Sequence, residues 1–464
     1  MPAGPDPSYA ELAAENATLR AVIAALHAEI AELRRQLGSN SQNSSKPPST
    51  DSPFAKPAPK SLRRKSGRKP GGQAGHPGQT LRQVAEPDEV VVHEPSACQR
   101  CGQGLAGRPV SRVERRQQFD IPPVTVRVTE HQLLERECAC GHRTCADAPA
   151  GVDAPVQYGP RIAAIVIYLY VGQFLSRKRT ASALAELFGT PLSEATVAAM
   201  TERAAGGLGE FLEHVRARIA SADVAGFDET GLRVASQLHW VHCARTDKYT
   251  LITCHRRRGR DGIDDAGVLV GFAGVAVRDA WAPYDTYANV QHQLCCAHAL
   301  RELQAVTDTA APGADGNWAT QAAEAIVAMQ KLVADACAAA VDPAALAAQI
   351  QLYRSAAQIG ATQTAARTDN IMKKHHALAR RLLKRQDDYL RFTLDWRIPP
   401  DNNGSERDIR MIKLRQKISG CLRTLAGAKQ FCAIRSYLST ATKHGQNSFD
   451  ALVTLAEGRA WMPA

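Results

Sequence analysis

At 464 residues, 44% of them apolar, the chain is too long for one core and too apolar to be intrinsically disordered, so two to four domains are expected. Its 57 Lys and Arg outnumber 46 Asp and Glu, for a formal net charge of +11, which favours a polyanionic partner. The longest apolar run, Ile162 to Leu175, is too short to span a membrane, and no membrane partner is expected.

The first residues carry no basic segment followed by an apolar one, so no export signal is expected. The 12 cysteines fit metal ligands and reduced core thiols better than a disulfide framework, which predicts a cytoplasmic protein. Leu12, Leu19, Leu26 and Leu33 recur every seven residues, with Tyr9, Asn16, Ile23, Ile30 and Leu37 as the companion series. This predicts a coiled coil over residues 1–37 and a homodimer through residues 9–37. In a parallel pair Glu15 of one helix faces Arg20 of the other, Glu29 faces Arg34, and Asn16 selects a two-stranded register at some cost in stability. An amphipathic helix docked on its own chain is the alternative.

Residues 38–80 are rich in Ser, Pro, Gly, Lys and Arg and read as a basic disordered linker. Its cluster Arg63, Arg64, Lys65, Arg68 and Lys69 is either a DNA-binding arm along phosphates or a solvated tether. Residues 81–150 hold Cys98-x2-Cys101 and, after the strand-like "RVTEHQLLEREC", Cys138-x-Cys140. Two such knuckles on a small β unit can supply four thiolates to a structural Zn2+, with Cys145 or His142 as substitutes for the fourth ligand.

Residues 151–215 read as helical, and "TASALAELFGTPLSEATVAAMTERA" has the spacing of a helix-turn-helix-like pair with Ser193 opening its second helix. From Val224 the pattern predicts three strands, a helix at "DDAGVLVGF" and two further strands. Alanine-rich helices follow as an insertion over about 297–395, then "DNNGSERDIR" opens a basic helix, and residues 441–464 form a C-terminal helical tail.

Asp228 follows a hydrophobic strand segment and Asp279 ends another, positions from which side chains of an α/β sheet project into one crevice. Glu406 stands in the first turn of the basic helix, where an acid also favours the helix dipole. Two strand-end aspartates and a helix-borne glutamate are the hard oxygen ligands that a pair of Mg2+ (or Mn2+) ions requires. Arg407, Arg410, Lys413, Arg415 and Lys417 follow the glutamate, and Arg256, Arg257, Arg258 and Arg260 precede the second aspartate, as a DNA-binding channel demands.

The stretches "NSSKPPSTD", "RKPGGQAGHPG", "GFDETGLRV", "VRDAWAPYD", "QLCCAHALREL" and "DNNGSERDIRMIKLRQKISG" resemble, in order, those of the insertion sequence 66 family of bacterial DDE transposases. The resemblance covers nearly the whole chain. It implies an α/β ribonuclease H-like catalytic domain over residues 216–440 with an all-α insertion, preceded by a coiled coil, a small zinc-binding β unit and a helical segment. It implies Asp228, Asp279 and Glu406 as catalytic Mg2+ ligands and Cys98, Cys101, Cys138 and Cys140 as Zn2+ ligands. Asp285 is an alternative second acid, but it follows "WAPY" and not a hydrophobic strand, so Asp279 is preferred. Asn402 and Asn403 are candidates for positioning the glutamate or a phosphate; His298 and Arg301 are supporting candidates for packing, phosphate contact or water positioning.

The expected function is a transposase that binds double-stranded DNA at element ends and target, hydrolyses phosphodiesters to expose 3'-hydroxyls and joins them to target DNA by two-metal catalysis. Small accessory proteins are expected partners in such a family. A dimeric, zinc-containing DNA-binding regulator without catalytic activity is the alternative.

Overall fold

The computed structural model describes residues 8–38, 78, 80–309, 317–336, 340–367 and 369–463. The basic cluster Arg63, Arg64, Lys65, Arg68 and Lys69 lies outside them. Helix α1 (Tyr9–Gly38) is one unbroken element, as the heptads predict. Its Leu19, Ile23, Leu26, Ile30 and Leu33 stand 44–52% exposed along one stripe.

Strands β1 (Glu135–Glu137) and β2 (Arg143–Cys145) pair antiparallel. The strand expected from Arg127 thus shrinks to three residues, since the preceding Val128 and Leu134 are exposed and alternation there has no core to bury.

Four helices follow: α2 (Pro160–Ile167), continued by a π turn at Tyr168–Gly172, α3 (Arg177–Phe188), α4 (Glu194–Gly206) and α5 (Gly209–Ala220). The predicted turn between α3 and α4 is built locally. Gly189 takes the left-handed conformation (φ 60°) that ends α3, and the Ser193 side chain accepts the Thr196 N–H that opens α4.

The sheet comprises β3 (Val224–Val234), β4 (Gln237–Arg245), β5 (Thr250–His255), β6 (Val275–Arg278) and β7 (Gln291–Leu294) in the order β5-β4-β3-β6-β7. The first three are antiparallel neighbours, and β6 and β7 run parallel to β3. The intervening helix α6 (Arg260–Ala266) starts earlier than its sequence pattern implies, because Gly267 (φ 70°) stops it and leaves Leu269–Gly271 as a single 3-10 turn. Ala235 and Ser236 close the β3–β4 hairpin with φ of 48° and 65°, a two-residue primed turn without glycine or asparagine.

Helices α7 (Cys296–Asp308), α8 (Trp318–Ala336), α9 (Pro343–Gln363), α10 (Asn370–Lys384) and α11 (Gln386–Leu390) are the expected alanine-rich insertion. They build their own core around Trp318, Ile326, Met329, Tyr353 and Leu382, into which β6 and β7 send Val277 and Leu294. The chain then returns as α12 (Asn403–Ser419), α13 (Leu425–Lys443) and α14 (Ser448–Ala456). These share a larger core with the sheet and α2–α5.

Both sheet edges are covered by polar side chains that satisfy orphan backbone groups. On α13, Ser436 Oγ accepts the Ile252 N–H at 2.8 Å and Thr440 Oγ1 that of Thr250 at 3.1 Å, which closes the β5 edge. At the β7 edge, Gln293 donates to the Tyr389 carbonyl at 3.0 Å and accepts the Phe392 N–H at 2.8 Å, fastening the insertion to the sheet.

Candidate active site

The β3–β6 ladder ends at the Gly226–Val277 pair, and beyond it the two parallel strands diverge. Asp228 lies two residues further along β3 and Asp279 just past the end of β6, so both acids stand at the mouth of the opening. The N-terminus of α12 fills it. Asn402 donates to the Phe227 carbonyl at 2.7 Å, and its own N–H points to Cys295 Sγ at 3.1 Å. Pro400 accepts the Cys296 N–H at 2.9 Å, so the start of α7 and the start of α12 hold each other. Gly226 is required here, since a Cβ would run into Ser405 Oγ.

This docking brings Glu406 toward the aspartates. Burial first, then the charges of Glu229, Asp279 and Glu406, push the Asp228 carboxyl well above the usual range. Burial raises that of Asp279 too, with the Trp281 N–H at 3.0 Å and nearby arginines partly offsetting it. Arg301 on α7 donates to Glu406 at 3.1 Å. His298 Nε2 lies 3.7 Å from the same carboxylate, but burial lowers its pKa to about 3, so this approach is no ion pair near neutrality. Among the described residues, no three His, Cys, Asp or Glu side chains converge at metal-ligand spacing. The three acids thus lie near enough for the charges of Asp279 and Glu406 to act on Asp228, without closing on a common point.

Asp285 is committed elsewhere: it pairs with the fully buried Arg278 and, at 2.9 Å, with Arg385. Arg407 and Arg410 are exposed on α12. Lys413 instead donates to the Gly231 carbonyl of β3, and burial brings its pKa down to about 8. Arg415 is buried, its guanidinium over the Tyr170 and Phe431 rings. Asn403 is exposed.

Sequence reasoning missed Glu229, whose signal is its place beside Asp228. Glu229 is buried on the opposite face of β3, accepts the Tyr284 hydroxyl at 2.6 Å and pairs with Arg258 at 2.6 Å. Burial and Asp279 lift its pKa to about 7, against the pull of Arg258 and Tyr284. Arg258 lies over the rings of Trp281 (4.0 Å) and Trp240 (4.9 Å), so it is a structural cation and not part of an open channel.

In the N-terminal half, each cysteine pair forms a tight turn. Gly102 N–H returns to the Cys98 carbonyl and Gly141 N–H to that of Cys138, with φ of 74° and 82° at the two glycines. Hydrogen bonds from Cys101 lower the Cys98 pKa, and hydrogen bonds from Cys140 lower that of Cys138. Cys98 and Cys138 are therefore inclined toward the thiolate that zinc requires, each beside the other cysteine of its knuckle, while the two knuckles do not converge in this structure. Cys145 ends β2, and the His142 carbonyl accepts the Cys138 N–H.

Acids that repel one another at the mouth of a cleft flanked by exposed arginines call for cations on one side and a polyanion on the other, a pairing that DNA-processing proteins use. Family models make this specific. Residues 155–430 match the model described as Transposase IS66 family, and residues 95–141 match the zinc-finger binding domain of transposase IS66. Residues 1–82 match a family of unknown function, DUF6444. The chain belongs to the IS66 transposase family. No curated protein matches it. Among the described residues, no helix is long and apolar enough to cross a membrane.

Proposed function

We propose that this transposase cleaves phosphodiesters at element ends to expose 3'-hydroxyls and joins those hydroxyls to target DNA, with Asp228, Asp279 and Glu406 holding Mg2+ or Mn2+. The observation that carries the reading is the burial of Asp228 among like charges from Asp279 and Glu406. Uncompensated carboxylates in such a site are unfavourable, and divalent cations with oxygen preference offset both burial and repulsion. When bound, a metal pair supplies an activated water or 3'-hydroxyl and stabilises the leaving oxygen.

The chain's own residues orient the acids. The Glu229 N–H (2.9 Å) holds Asp228, the Trp281 N–H holds Asp279, and Arg301 holds Glu406 on the flank facing α7. Asn402 sets where α12 begins and so where Glu406 hangs. Arg407 and Arg410 lie on the exposed side of the same helix, available to phosphates. The strand order, three antiparallel strands continued by two parallel ones, supports a ribonuclease H-like domain interrupted by α7–α11.

The half-exposed apolar stripe of α1 supports pairing of two chains through a coiled coil. The family's zinc-finger domain supports a structural Zn2+, with Cys98, Cys101, Cys138 and Cys140 as proposed ligands. The test of the catalytic reading is nicking of end-containing supercoiled DNA by the purified full chain. Cleavage should need Mg2+ or Mn2+ and be lost in Asp228→Asn, Asp279→Asn and Glu406→Gln; full-rate cleavage by any of these variants would overturn it.

A further inference from the structure

Beside the start of α12 lies a cavity of about 410 Å³, lined among others by Gly226, Arg245, Trp396, Arg397, Asn403 and Arg407. Asp228, Asp279 and Glu406 do not line it, but two of the strands that do lead to the aspartates. Gly226 and Val277, which line its floor, pair with each other and precede Asp228 and Asp279 by two residues each. Along the strands the acids therefore follow about 7 Å further on.

Trp396 is 62% exposed at the rim, and among the described residues its ring stacks on no other ring and under no cation. The exposed Arg407 side chain makes no hydrogen bond or ion pair among the described residues. Arg397 is half-exposed and shared between Asp395 and Asp223, while Arg245 is held by Asp247 and Asp408. Asp247 and Asp401 also line the cavity, so a free phosphate dianion matches it poorly. A nucleotide, with a neutral aromatic base and one negative charge on its phosphodiester, matches it well: the exposed indole offers a stacking face, and two arginines offer a cationic edge.

We propose that this cavity seats one nucleotide of a single DNA strand adjacent to the phosphodiester at the acids, its base stacked on Trp396 and its phosphate between Arg407 and Arg397. The proposal deepens the DNA-cleavage reading above and rests on it. It assigns to the segment before α12 a task that the carboxylates do not perform, which is to hold the strand in register beside them.

The test uses the full chain and a single-stranded thymidine tetranucleotide, read by tryptophan emission, with inorganic phosphate as the comparison. Saturable quenching is expected with the tetranucleotide and not with phosphate, and the Trp396 share of it should vanish in Trp396→Phe. Trp396→Leu is expected to weaken tetranucleotide binding about tenfold and Arg407→Gln by a smaller factor. Asp228→Asn should quench like the wild type. Equal quenching in wild type and Trp396→Phe, or equal competition by phosphate, overturns the proposal. Nicking by the wild type without Trp396-dependent quenching removes the nucleotide seat alone; Trp396-dependent quenching in a protein that never nicks removes the cleavage reading instead.

Discussion

The Asn402 side-chain amide donates to the Phe227 carbonyl at 2.7 Å, which joins the start of α12 to the strand that carries Asp228. That carbonyl is available because the β3–β6 ladder stops one residue earlier. Asn402→Ala should leave a buried acceptor unpaired and cost about 1–3 kcal/mol of stability. Urea unfolding measures the loss, and nicking by the folded fraction should fall as well, because Glu406 depends on the same helix start.

Gly226 and Ser405 form a second contact between the same elements. Gly226→Ala should cost about 1–3 kcal/mol through overpacking against Ser405 Oγ. That hydroxyl is buried without a hydrogen-bond partner among the described residues, so Ser405→Ala should be close to neutral. The double variant should recover most of the loss, which a double-mutant cycle reads directly; additive losses would contradict the contact.

The β3–β4 turn places Ala235 and Ser236 in a conformation that glycine and asparagine adopt at less cost. Ala235→Asn with Ser236→Gly should raise stability by about 1 kcal/mol. The gain should appear as a higher urea midpoint with an unchanged slope.

Acid should destabilise the α/β core through two histidines. Burial depresses the pKa of both His242 and His292 to about 4. Above the unfolded value of about 6.5 both states are neutral and nothing is lost; between about 6.5 and 4 only the unfolded chain takes up protons, so stability falls as pH falls through that window. The histidine contribution should reach about 2–5 kcal/mol by pH 4, allowing for the partial exposure of His292. It is opposed by Asp228, Glu229 and Asp279, whose raised pKa values favour the folded chain as pH falls. The difference in urea midpoint between wild type and His242→Gln at pH 7, 5.5 and 4.5 isolates the His242 share, and wild type should lose more stability toward acid than the variant.

Removing zinc should affect the N-terminal half alone. Chelation, or Cys101→Ser with Cys138→Ser, should make residues 95–145 readily cleaved by protease and leave the sheet and its helices resistant. Equal loss of protection in both halves would show that the metal also supports the α/β domain.

The sequence by itself determined the elements whose signals are local. Heptads predict α1, Gly189 and Ser193 mark the turn between α3 and α4, and alternation marks the strands from Val224. The family was legible because its motifs lie in order along the chain. Tertiary structure alone decided which charges are free. Arg258 and Arg415 read as channel cations in a linear string, yet one is held between tryptophans against Glu229 and the other lies over buried rings. Lys413 likewise spends its ammonium on the Gly231 carbonyl. The reason is physical: periodicity reports the face a residue occupies, whereas its partners come from strands and loops far away in the chain. The divergence of β3 and β6, the clasp of Asn402 on Phe227 and the cavity under Trp396 arise in the same way, from where distant backbones part or meet.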